Sequence, residues 1–300
     1  MVIVFDTETT GLPLRYNAPL TDFNNWPRVV QLAWQLHDFD GTLIEQRSAI
    51  ILPEDFEIPY AASKIHHITT AWALTKGEPF LQVIQDFLKA FERATCYVGH
   101  NIEFDRMVLG CELLRRNLQD CFLEKPFIDT KSNETTSFCA LPGGKGGKFK
   151  WPTLLELHQA LFATAFEDAH NAAFDVAANA KVFFELLKRS IIKSHGIFPE
   201  LDYKQLQYQA PDLSGLEIPA PEAVKTQPVL KASVPKKVSA IPYVALHNHS
   251  QFSVLQAVSS IEDLIKKADA YNMHALALTD HGNMFGVIYF GKRFKSTTKK

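Results

Sequence analysis

The chain has 300 residues, of which 46% are hydrophobic and 21% are charged. This length and composition suffice for one complete hydrophobic core and part of a second, so we expect two folded units. No apolar run approaches the roughly 18 residues of a membrane span, and the start MVIVFDTETTGL has acidic residues where a signal peptide needs basic ones. The composition argues against an integral membrane protein and predicts a cytoplasmic one.

Charge is unevenly distributed along the chain. Residues 1–200 carry 19 Lys and Arg against 25 Asp and Glu, whereas residues 201–300 carry 12 against 8. A protein that grips duplex nucleic acid through many phosphate contacts usually has a basic face. If the acidic part binds nucleic acid, we expect it to hold a chain end locally, with bound cations compensating the charge.

The predicted elements of the first 190 residues alternate between strands and helices. Strands are predicted at 2–5, from Val29 and from Leu43, and Asp40-Gly41 is a hairpin signal between the last two. Apolar positions three and four apart then predict helices, separated by short apolar strands. These later elements are helix 79–94, strand 96–99, helix 104–118, strand 127–130, and helices 153–162 and 172–190. The pattern predicts a mixed α/β sheet flanked by helices.

Composition changes near residue 198, because seven of the sixteen prolines lie between Pro199 and Pro242. We predict a flexible, proline-rich linker at 196–240 that joins a first unit, 1–195, to a second, 241–300. The four cysteines form no CxxC pair and lack zinc-site spacing, so they are predicted to be reduced and structural. They are Cys96, Cys111, Cys121 and Cys139.

Two carboxylates end the first strand. Asp6 and Glu8 are two residues apart, and the period of a strand places both side chains on one face. Paired carboxylate oxygens are suitable ligands for Mg²⁺ or Mn²⁺. Alone, such a pair is more often a solvated strand end.

Two later segments add further acids and a histidine. The sequence GHNIEFDRMVL supplies Asp105 after a second apolar strand, and EDAHNAAFDVAANA supplies His170 and Asp175. A helix turns about 100° per residue, so positions 170 and 175 cannot share one face of a continuous helix. We therefore expect His170 in the loop that enters the helix and Asp175 inside the helix, among alanines that allow close approach to the sheet.

These segments resemble the three exonuclease motifs of the DEDDh family: DTETTG at 6–11, GHNxxFD at 99–105 and HNxxxD at 170–175. The resemblance covers roughly residues 1–190. It implies a ribonuclease-H-like fold with a five-stranded mixed sheet, and hydrolysis of phosphodiester bonds with two Mg²⁺ or Mn²⁺ ions. The implied metal ligands and catalytic residues are Asp6, Glu8, Asp105 and Asp175, with His170 as the general base.

The resemblance also implies residues that hold the terminal nucleotide. The family uses the backbone of its TETTG turn, here Thr7, Thr9, Thr10 and Gly11, and a histidine that corresponds to His66. His67 stands where the family usually has glycine, so it either crowds the nucleotide or faces solvent, and His66 alternatively packs at a helix end. His100 and Asn101 match a family pair that is implicated in substrate binding, with a capping or structural role as the alternative.

A glycine-rich basic segment, LPGGKGGKFKW at 141–151, lacks the order of a nucleotide-binding P-loop. It is predicted to be a solvated loop; the alternative is that it bends over an incoming strand, with Lys145 and Lys148 near phosphates. His37, His158 and His195 have no partners at ligand spacing and are predicted to be ordinary surface or core residues.

The second unit begins with VALHNHSQFSVL, which places His247 and His249 on one face of a strand. With ALTDHGNMFG and its His281, this part resembles the start of the PHP domain in the α subunit of bacterial DNA polymerase III. The resemblance implies a Zn²⁺ or Mn²⁺ site at the three histidines, although Gln256 replaces an expected acid. Since the chain stops at Lys300, we expect a truncated PHP domain without polymerase activity.

The leading hypothesis is a metal-dependent 3′→5′ exonuclease that acts on single-stranded DNA 3′ ends as the proofreading module of a longer replicative polymerase. The expected partners are polymerase domains in the same chain and a sliding clamp, and tethering raises the effective concentration of the exonuclease near a misincorporated end. An RNA 3′-end trimming exonuclease is the nearest alternative. A non-catalytic recruitment module is an alternative from another class.

Overall fold

The structure is a computed structural model that describes residues 1–166, 170–193, 196–197, 202–217, 219, 248–253, 259–271, 273, 275–280, 286–287 and 289–291. The chain divides into two compact units, Met1–Ala223 and Val224–Lys300. Each unit is described by itself below.

One mixed five-stranded sheet forms the centre of the first unit, in the order β3-β2-β1-β4-β5. β2 pairs antiparallel with β1 and β3, whereas β1, β4 and β5 run parallel. The predicted hairpin is confirmed, because the β2–β3 turn is closed by Asp38 N–H donating to Thr42 O at 2.8 Å. The strands are β1 Val2–Thr9, β2 Val29–His37, β3 Leu43–Ile50, β4 Cys96–Gly99 and β5 Phe127–Asp129.

Helices cover both faces of this sheet, as the resemblance to a ribonuclease-H-like fold implies. The helices described in the first unit are α1 Tyr60–His66, α2 Thr70–Lys76, α3 Phe80–Arg93, α4 Ile102–Arg115, α5 Asn133–Cys139, α6 Leu154–Phe162 and α7 Ala172–Lys188. The predicted start of α4 was two residues too late, because the prediction followed the spacing of apolar residues. In the structure the helix begins directly after Asn101, whose backbone has a left-handed conformation.

The alternation of β1 assigns each of its side chains to one of two hydrophobic clusters. Ile3 and Phe5 face the cluster that contains α3 and α4, and Val2 and Val4 face the cluster that contains α7. Because side chains of a strand alternate, the even-numbered positions that follow also point toward α7. The sheet therefore directs both carboxylates of β1 to the α7 side.

A segment that we call the strap, residues 202–217, packs on the first unit. Leu206 is buried, and the Tyr208 ring lies against Phe184 and His37 while its hydroxyl donates to Ala177 O at 3.0 Å. The prediction of a linker beginning at residue 196 is therefore wrong for the strap. Proline content indicates an irregular backbone, but it does not reveal that this backbone covers an apolar surface of α7 and β2.

We predict that Leu206→Ala lowers the free energy of unfolding of the first unit by about 2–4 kcal/mol, because a buried leucine leaves a cavity when truncated. Gln207→Ala is the matched control, since the Gln207 side chain is exposed and its backbone N–H still donates to Asp40 O. Urea denaturation of both variants measures the difference. Equal stability of Leu206→Ala and wild type would show that the strap does not pack in solution.

In the second unit, α8 spans Ile261–Ala270. Ser260 caps its N-terminus, because the Ser260 side chain accepts the Asp263 N–H. Segment 275–280 is joined to 248–253 through a hydrogen bond from Thr279 N–H to Asn248 O at 2.8 Å.

Two further findings concern the whole described part of the chain. Among its helices, none is long and apolar enough to cross a membrane. The four cysteines are free thiols, as predicted, and burial raises the pKa of Cys96 to about 12.

Candidate active site

Three carboxylates converge where β1 ends beside the first turn of α7. Oxygen atoms of Asp6, Glu8 and Asp175 all lie within 4.8 Å of one another. Ala172 and Ala173 are buried at the start of α7, and their small side chains allow the helix to approach the strand closely. The structure thus brings together three of the four predicted acidic ligands.

The fourth acid, Asp105, reaches β1 from the opposite layer. β4 pairs with β1 only as far as Val4, so the N–H groups beyond it need other acceptors on that edge. Asp105 Oδ1 accepts the Thr7 backbone N–H at 3.0 Å and the Thr7 hydroxyl at 2.6 Å. The backbone N–H and the buried hydroxyl of Thr7 are thus both engaged by Asp105, and the Thr7 side chain positions that acid.

The four acids lie in an environment that disfavours their ionised forms. Burial raises the pKa of Asp6 well above its usual range, and repulsion from the other carboxylates raises it further; Glu8 behaves in the same way. Burial also raises the pKa of Asp105 and of Asp175 to about 7. Converging carboxylates of this kind, of which Asp105 is buried and the other three are partly buried, fit hard divalent cations, which would offset the repulsion.

The raised pKa of Asp175 predicts a pH dependence of stability in metal-free protein. The folded state binds a proton near pH 7, whereas the unfolded chain binds it near its ordinary pKa of about 3.9. The folded state therefore gains stability as pH falls from about 8 to about 6, by an amount on the order of 1 kcal/mol. In Asp175→Asn this gain is lost, so the difference between wild-type and variant unfolding free energies should change with pH in chelator. If the difference between the two unfolding free energies does not change with pH, the pKa of Asp175 is not raised.

His170 lies in the loop before α7, as predicted, in a left-handed conformation with φ of 74°. Its backbone N–H donates to Asp175 Oδ2 at 3.0 Å, which ties the loop to the carboxylate cluster. The His170 side chain is exposed to an open cleft. Residues that line this cleft are Asp6, His100, Thr153, Leu154, Leu155, Phe166, His170 and Asp175.

His66 is buried at the end of α1, and its Nδ1 accepts the Ile68 N–H at 3.1 Å. Its Nε2 approaches the Thr9 backbone but forms no hydrogen bond of normal geometry within the described residues. Burial lowers the pKa of His66 to about 4, so the ring is neutral and Nε2 carries the proton. This buried N–H donor, which has no acceptor of normal geometry in the described part of the chain, is available for a ligand.

His67, where the family usually has glycine, ends α1 in a left-handed conformation with φ of 62°. This conformation favours glycine, which explains the family preference at the position. The His67 side chain is half-buried.

His100 has both ring nitrogens engaged by the protein. Nε2 lies 3.1 Å from Pro152 O, and Nδ1 lies 3.0 Å from Thr130 Oγ1. His100 lines the cleft, and its two contacts fix the segment before α6, in agreement with the structural alternative. Asn101 makes no side-chain cap of α4; its Oδ1 accepts from Lys131 Nζ at 3.1 Å.

The turn that follows β1 is held by its own side chains. The Thr9 hydroxyl donates to Gly11 O at 2.7 Å, and Thr10 Oγ1 accepts the Arg28 N–H at 2.9 Å. These bonds occupy the two threonine hydroxyls and define the shape of the turn. Gly11 has φ of 146° and open space where a Cβ would be.

Sequence reasoning missed two residues that hold the start of α7. Asn171 caps the helix by accepting the Ala173 N–H at 3.1 Å. Gln31, which is buried on β2 opposite Glu8, donates from Nε2 to Asn171 Oδ1 at 3.1 Å and accepts the Ala172 N–H at 3.2 Å. The available signals were asparagine before a helical pattern and a glutamine within an apolar strand.

We predict that Gln31→Leu lowers kcat for phosphodiester hydrolysis roughly 10- to 100-fold, because the first turn of α7 loses the bonds that orient Asp175 within the carboxylate cluster. Gln35→Leu is the matched control: Gln35 is also buried on β2 but bonds to His37. Steady-state kinetics and melting temperatures are measured for both variants. Together they separate a loss of orientation of α7 from a loss of protein stability. Equal losses of kcat in the two variants would argue against positioning.

In the second unit, Asp280 is the centre of a small polar cluster. It accepts hydrogen bonds from the Ser250 backbone N–H and from the hydroxyls of Ser250 and Ser253. Although slight burial opposes it, these bonds hold the pKa of Asp280 below its usual range. His249 Nδ1 lies 3.2 Å from Ser253 Oγ. The predicted ligands His247 and His281 lie outside the described residues, as does Gln256.

Comparison with known proteins assigns both parts of the sequence. Residues 3–183 match the family described as Exonuclease (RNase_T), and residues 245–299 match the PHP domain. The second region is 48% identical over 58 residues to the DNA polymerase III subunit alpha of Chlamydia pneumoniae, covering 19% of this chain and 4% of that protein. The Treponema pallidum subunit alpha is 50% identical over 50 residues, which cover 17% of this chain and 4% of that protein. The chain thus spans only a small fraction of these relatives.

Among solved structures, Exonuclease I from E. coli in complex with a dT13 oligonucleotide superposes with a TM-score of 0.51 at 22% identity, covering 62% of this chain and 40% of that one. Another Exonuclease I structure superposes with a TM-score of 0.50 at 22% identity, covering 63% of this chain and 40% of that one. This similarity shows a shared fold. Since the exonuclease match covers more than half of the sequence, the chain belongs to the exonuclease family, and residues 3–183 are its exonuclease domain.

Proposed function

We propose that this protein is a metal-dependent 3′→5′ exonuclease that removes nucleotides from single-stranded DNA 3′ ends, as the proofreading module of a DNA polymerase III α-type protein. The observation that carries the proposal is the convergence of three partly buried carboxylates at the end of β1, two of which, Asp6 and Asp175, line the same cleft as His170. A replicative role would place the protein in the bacterial cytoplasm.

Two Mg²⁺ or Mn²⁺ ions fit the arrangement of acids. Asp6, Glu8 and Asp175 would hold one ion, and Asp105, whose Oδ1 is bound by Thr7, would support the other together with Asp6. Bound ions would supply positive charge that stabilises the phosphate and the leaving 3′-oxygen in the transition state. The raised pKa values of the four acids support this assignment, because cations would favour the ionised carboxylates.

His170 is the proposed general base. Its exposed ring takes a proton from the attacking water, and an imidazole can both accept and release a proton near neutral pH. The hydrogen bond from its backbone to Asp175 keeps the loop next to the acids. The exposed position allows the ring to reorient between proton uptake and release.

The terminal nucleotide would lie against the turn at Thr9–Gly11 and beside His66. The buried Nε2–H of His66 is the donor proposed to contact it, since no described residue accepts that proton with normal geometry. The backbone of the turn, whose shape is fixed by Thr9 and Thr10, provides the remaining contacts. Asn101 would act by orienting the loop after β4.

The match of the second region to polymerase subunits supports the replicative part of the proposal. A chain that links an exonuclease to polymerase domains makes capture of a frayed 3′ end an intramolecular event. A sliding clamp is a further proposed partner of the assembled polymerase. A Zn²⁺ or Mn²⁺ site at His247, His249 and His281 is proposed for the second unit.

The test uses 5′-labelled single-stranded DNA and RNA of one sequence, and a DNA duplex with a matched or mismatched 3′ terminus. The expected result is faster shortening of DNA than RNA, and faster removal of a mismatched terminus. Preference for RNA would favour 3′-end trimming of RNA instead. Absence of cleavage of every substrate with Mg²⁺ or Mn²⁺ would favour the non-catalytic module.

A further inference from the structure

A closed loop beside the catalytic cleft has a composition that neither the carboxylate site nor the core requires. The loop is closed by Lys150 N–H donating to Leu141 O at 2.9 Å. Gly146 and Gly147 have φ of 66° and 77°, so the chain turns through conformations that favour glycine. We call residues 145–151 of this loop the lip.

The lip presents aromatic side chains to solvent. Phe149 and Trp151 are each 49% exposed. Residues 149–153 alternate between exposed and covered positions, because Lys150 is half-buried and Pro152 is buried. The two aromatic side chains are therefore solvent-accessible, as is Thr153, which follows them and lines the cleft.

Chain geometry places the lip next to the acids. The carbonyl of Pro152 is 3.1 Å from His100 Nε2, which fixes the base of the lip at the end of β4. At no more than about 3.6 Å per residue, Trp151 lies within roughly 7 Å and Phe149 within roughly 14 Å of Thr153 along the chain. Both aromatic residues therefore lie within roughly 14 Å of a residue that lines the cleft.

The lip also carries charge of the opposite sign to that of the domain around it. Among the described residues, Lys145 and Lys148 form no ion pair, whereas Lys150 is paired with Glu156 at 2.6 Å. Both unpaired lysines are exposed. Residues 1–200 as a whole have more acidic than basic residues, so this local positive charge is not a general property of the surface.

We propose that the lip binds the part of a single-stranded DNA substrate that precedes its 3′-terminal nucleotide: bases stack on Phe149 and Trp151, and phosphates contact Lys145 and Lys148. This inference rests on the proposed function. Stacking on aromatic rings combined with cationic side chains is the general chemistry of single-strand binding, and it tolerates any base sequence. That tolerance suits an enzyme that must remove every nucleotide.

The test compares oligothymidines of about three and about twelve nucleotides, since single-strand sites span roughly 4–16 nucleotides. Binding to the full chain is measured by fluorescence anisotropy with Ca²⁺ in place of Mg²⁺. We expect Trp151→Ala to weaken binding of the longer strand roughly 5- to 100-fold, with partial rescue by Trp151→Phe, and to leave the shorter strand nearly unaffected.

The lysines are tested by the salt dependence of binding. The double variant Lys145→Ala/Lys148→Ala should reduce the slope of log affinity against log salt by about 1.4 for the longer strand, at about 0.7 per phosphate contact. The matched control is Lys188→Ala/Lys193→Ala, which removes the same charge at and after the C-terminal end of α7. An unchanged slope in the lip variant, or an equal change in the control, would overturn the proposal.

A separate substrate distinguishes failure of the lip from failure of the catalytic proposal. The p-nitrophenyl ester of thymidine 5′-monophosphate has no upstream strand, so lip variants should hydrolyse it at the wild-type rate. If wild type hydrolyses neither the ester nor DNA, the proposed activity fails, while the binding measurements still test the lip. Equal loss of activity on ester and long DNA in lip variants would show damage to the site and overturn the proposal.

Discussion

Replacing Asp6 by Asn is expected to reduce hydrolysis of single-stranded DNA by about 10³-fold or more, because Asp6 interacts with each of the other three acids. Burial and the charges of Asp105, Asp175 and Glu8 all raise its pKa. Asparagine keeps the shape but removes the negative charge that would hold both cations. Timed assays with Mg²⁺ measure the loss.

The same substitution is expected to stabilise the metal-free protein. Without cations, an ionised Asp6 is buried among like charges, and Asn removes that repulsion. The melting temperature of Asp6→Asn in chelator should therefore exceed that of wild type by several degrees, since about 1 kcal/mol corresponds to roughly 2–4 °C in a unit of this size. Added Mg²⁺ should raise the melting temperature of wild type more than that of the variant. A variant less stable than wild type in chelator would contradict this account.

Replacing His170 by Gly should lower kcat by about 10²–10⁴-fold, the typical contribution of a general base. Glycine is the informative choice because φ at this position is 74°, a conformation that glycine adopts without strain. The loop and its backbone bond to Asp175 should then persist, so stabilisation by Mg²⁺ should stay at the wild-type level.

Two readouts separate proton transfer from a structural role of His170. Added imidazole should restore part of the lost rate in His170→Gly but leave Asp6→Asn inactive. The remaining rate of His170→Gly should depend less on pH than the wild-type rate does. A variant that keeps more than about a third of the wild-type kcat would remove His170 from the mechanism, given the size of a general-base effect.

Much of the site followed from periodicity alone. The alternation of β1 predicted that Asp6 and Glu8 share a face, and the 100° rotation of a helix predicted that His170 precedes α7 while Asp175 lies within it. Both predictions are confirmed. They succeeded because they depend only on local backbone geometry, which the sequence encodes within a few residues.

Features that depend on contacts between distant segments were not predictable in the same way. The TETTG motif indicated a role for the backbone of the turn, but nothing in it reveals that the Thr7 hydroxyl bonds to Asp105, 98 residues away. Gln31 orients a helix that begins 141 residues later in the sequence. The strap looked like linker because no sequence pattern reveals the surface that Leu206 covers.

The central claim is that the carboxylate cluster performs stepwise hydrolysis from the 3′ end, and one assay tests it most directly. Single-stranded DNA labelled at its 5′ end is incubated with Mg²⁺ and wild type or Asp6→Asn, and the products are resolved on a denaturing gel. We predict a ladder that shortens by one nucleotide at a time with wild type and intact DNA with the variant. Release of a labelled mononucleotide as the first product, or equal cleavage by the two proteins, would contradict the account.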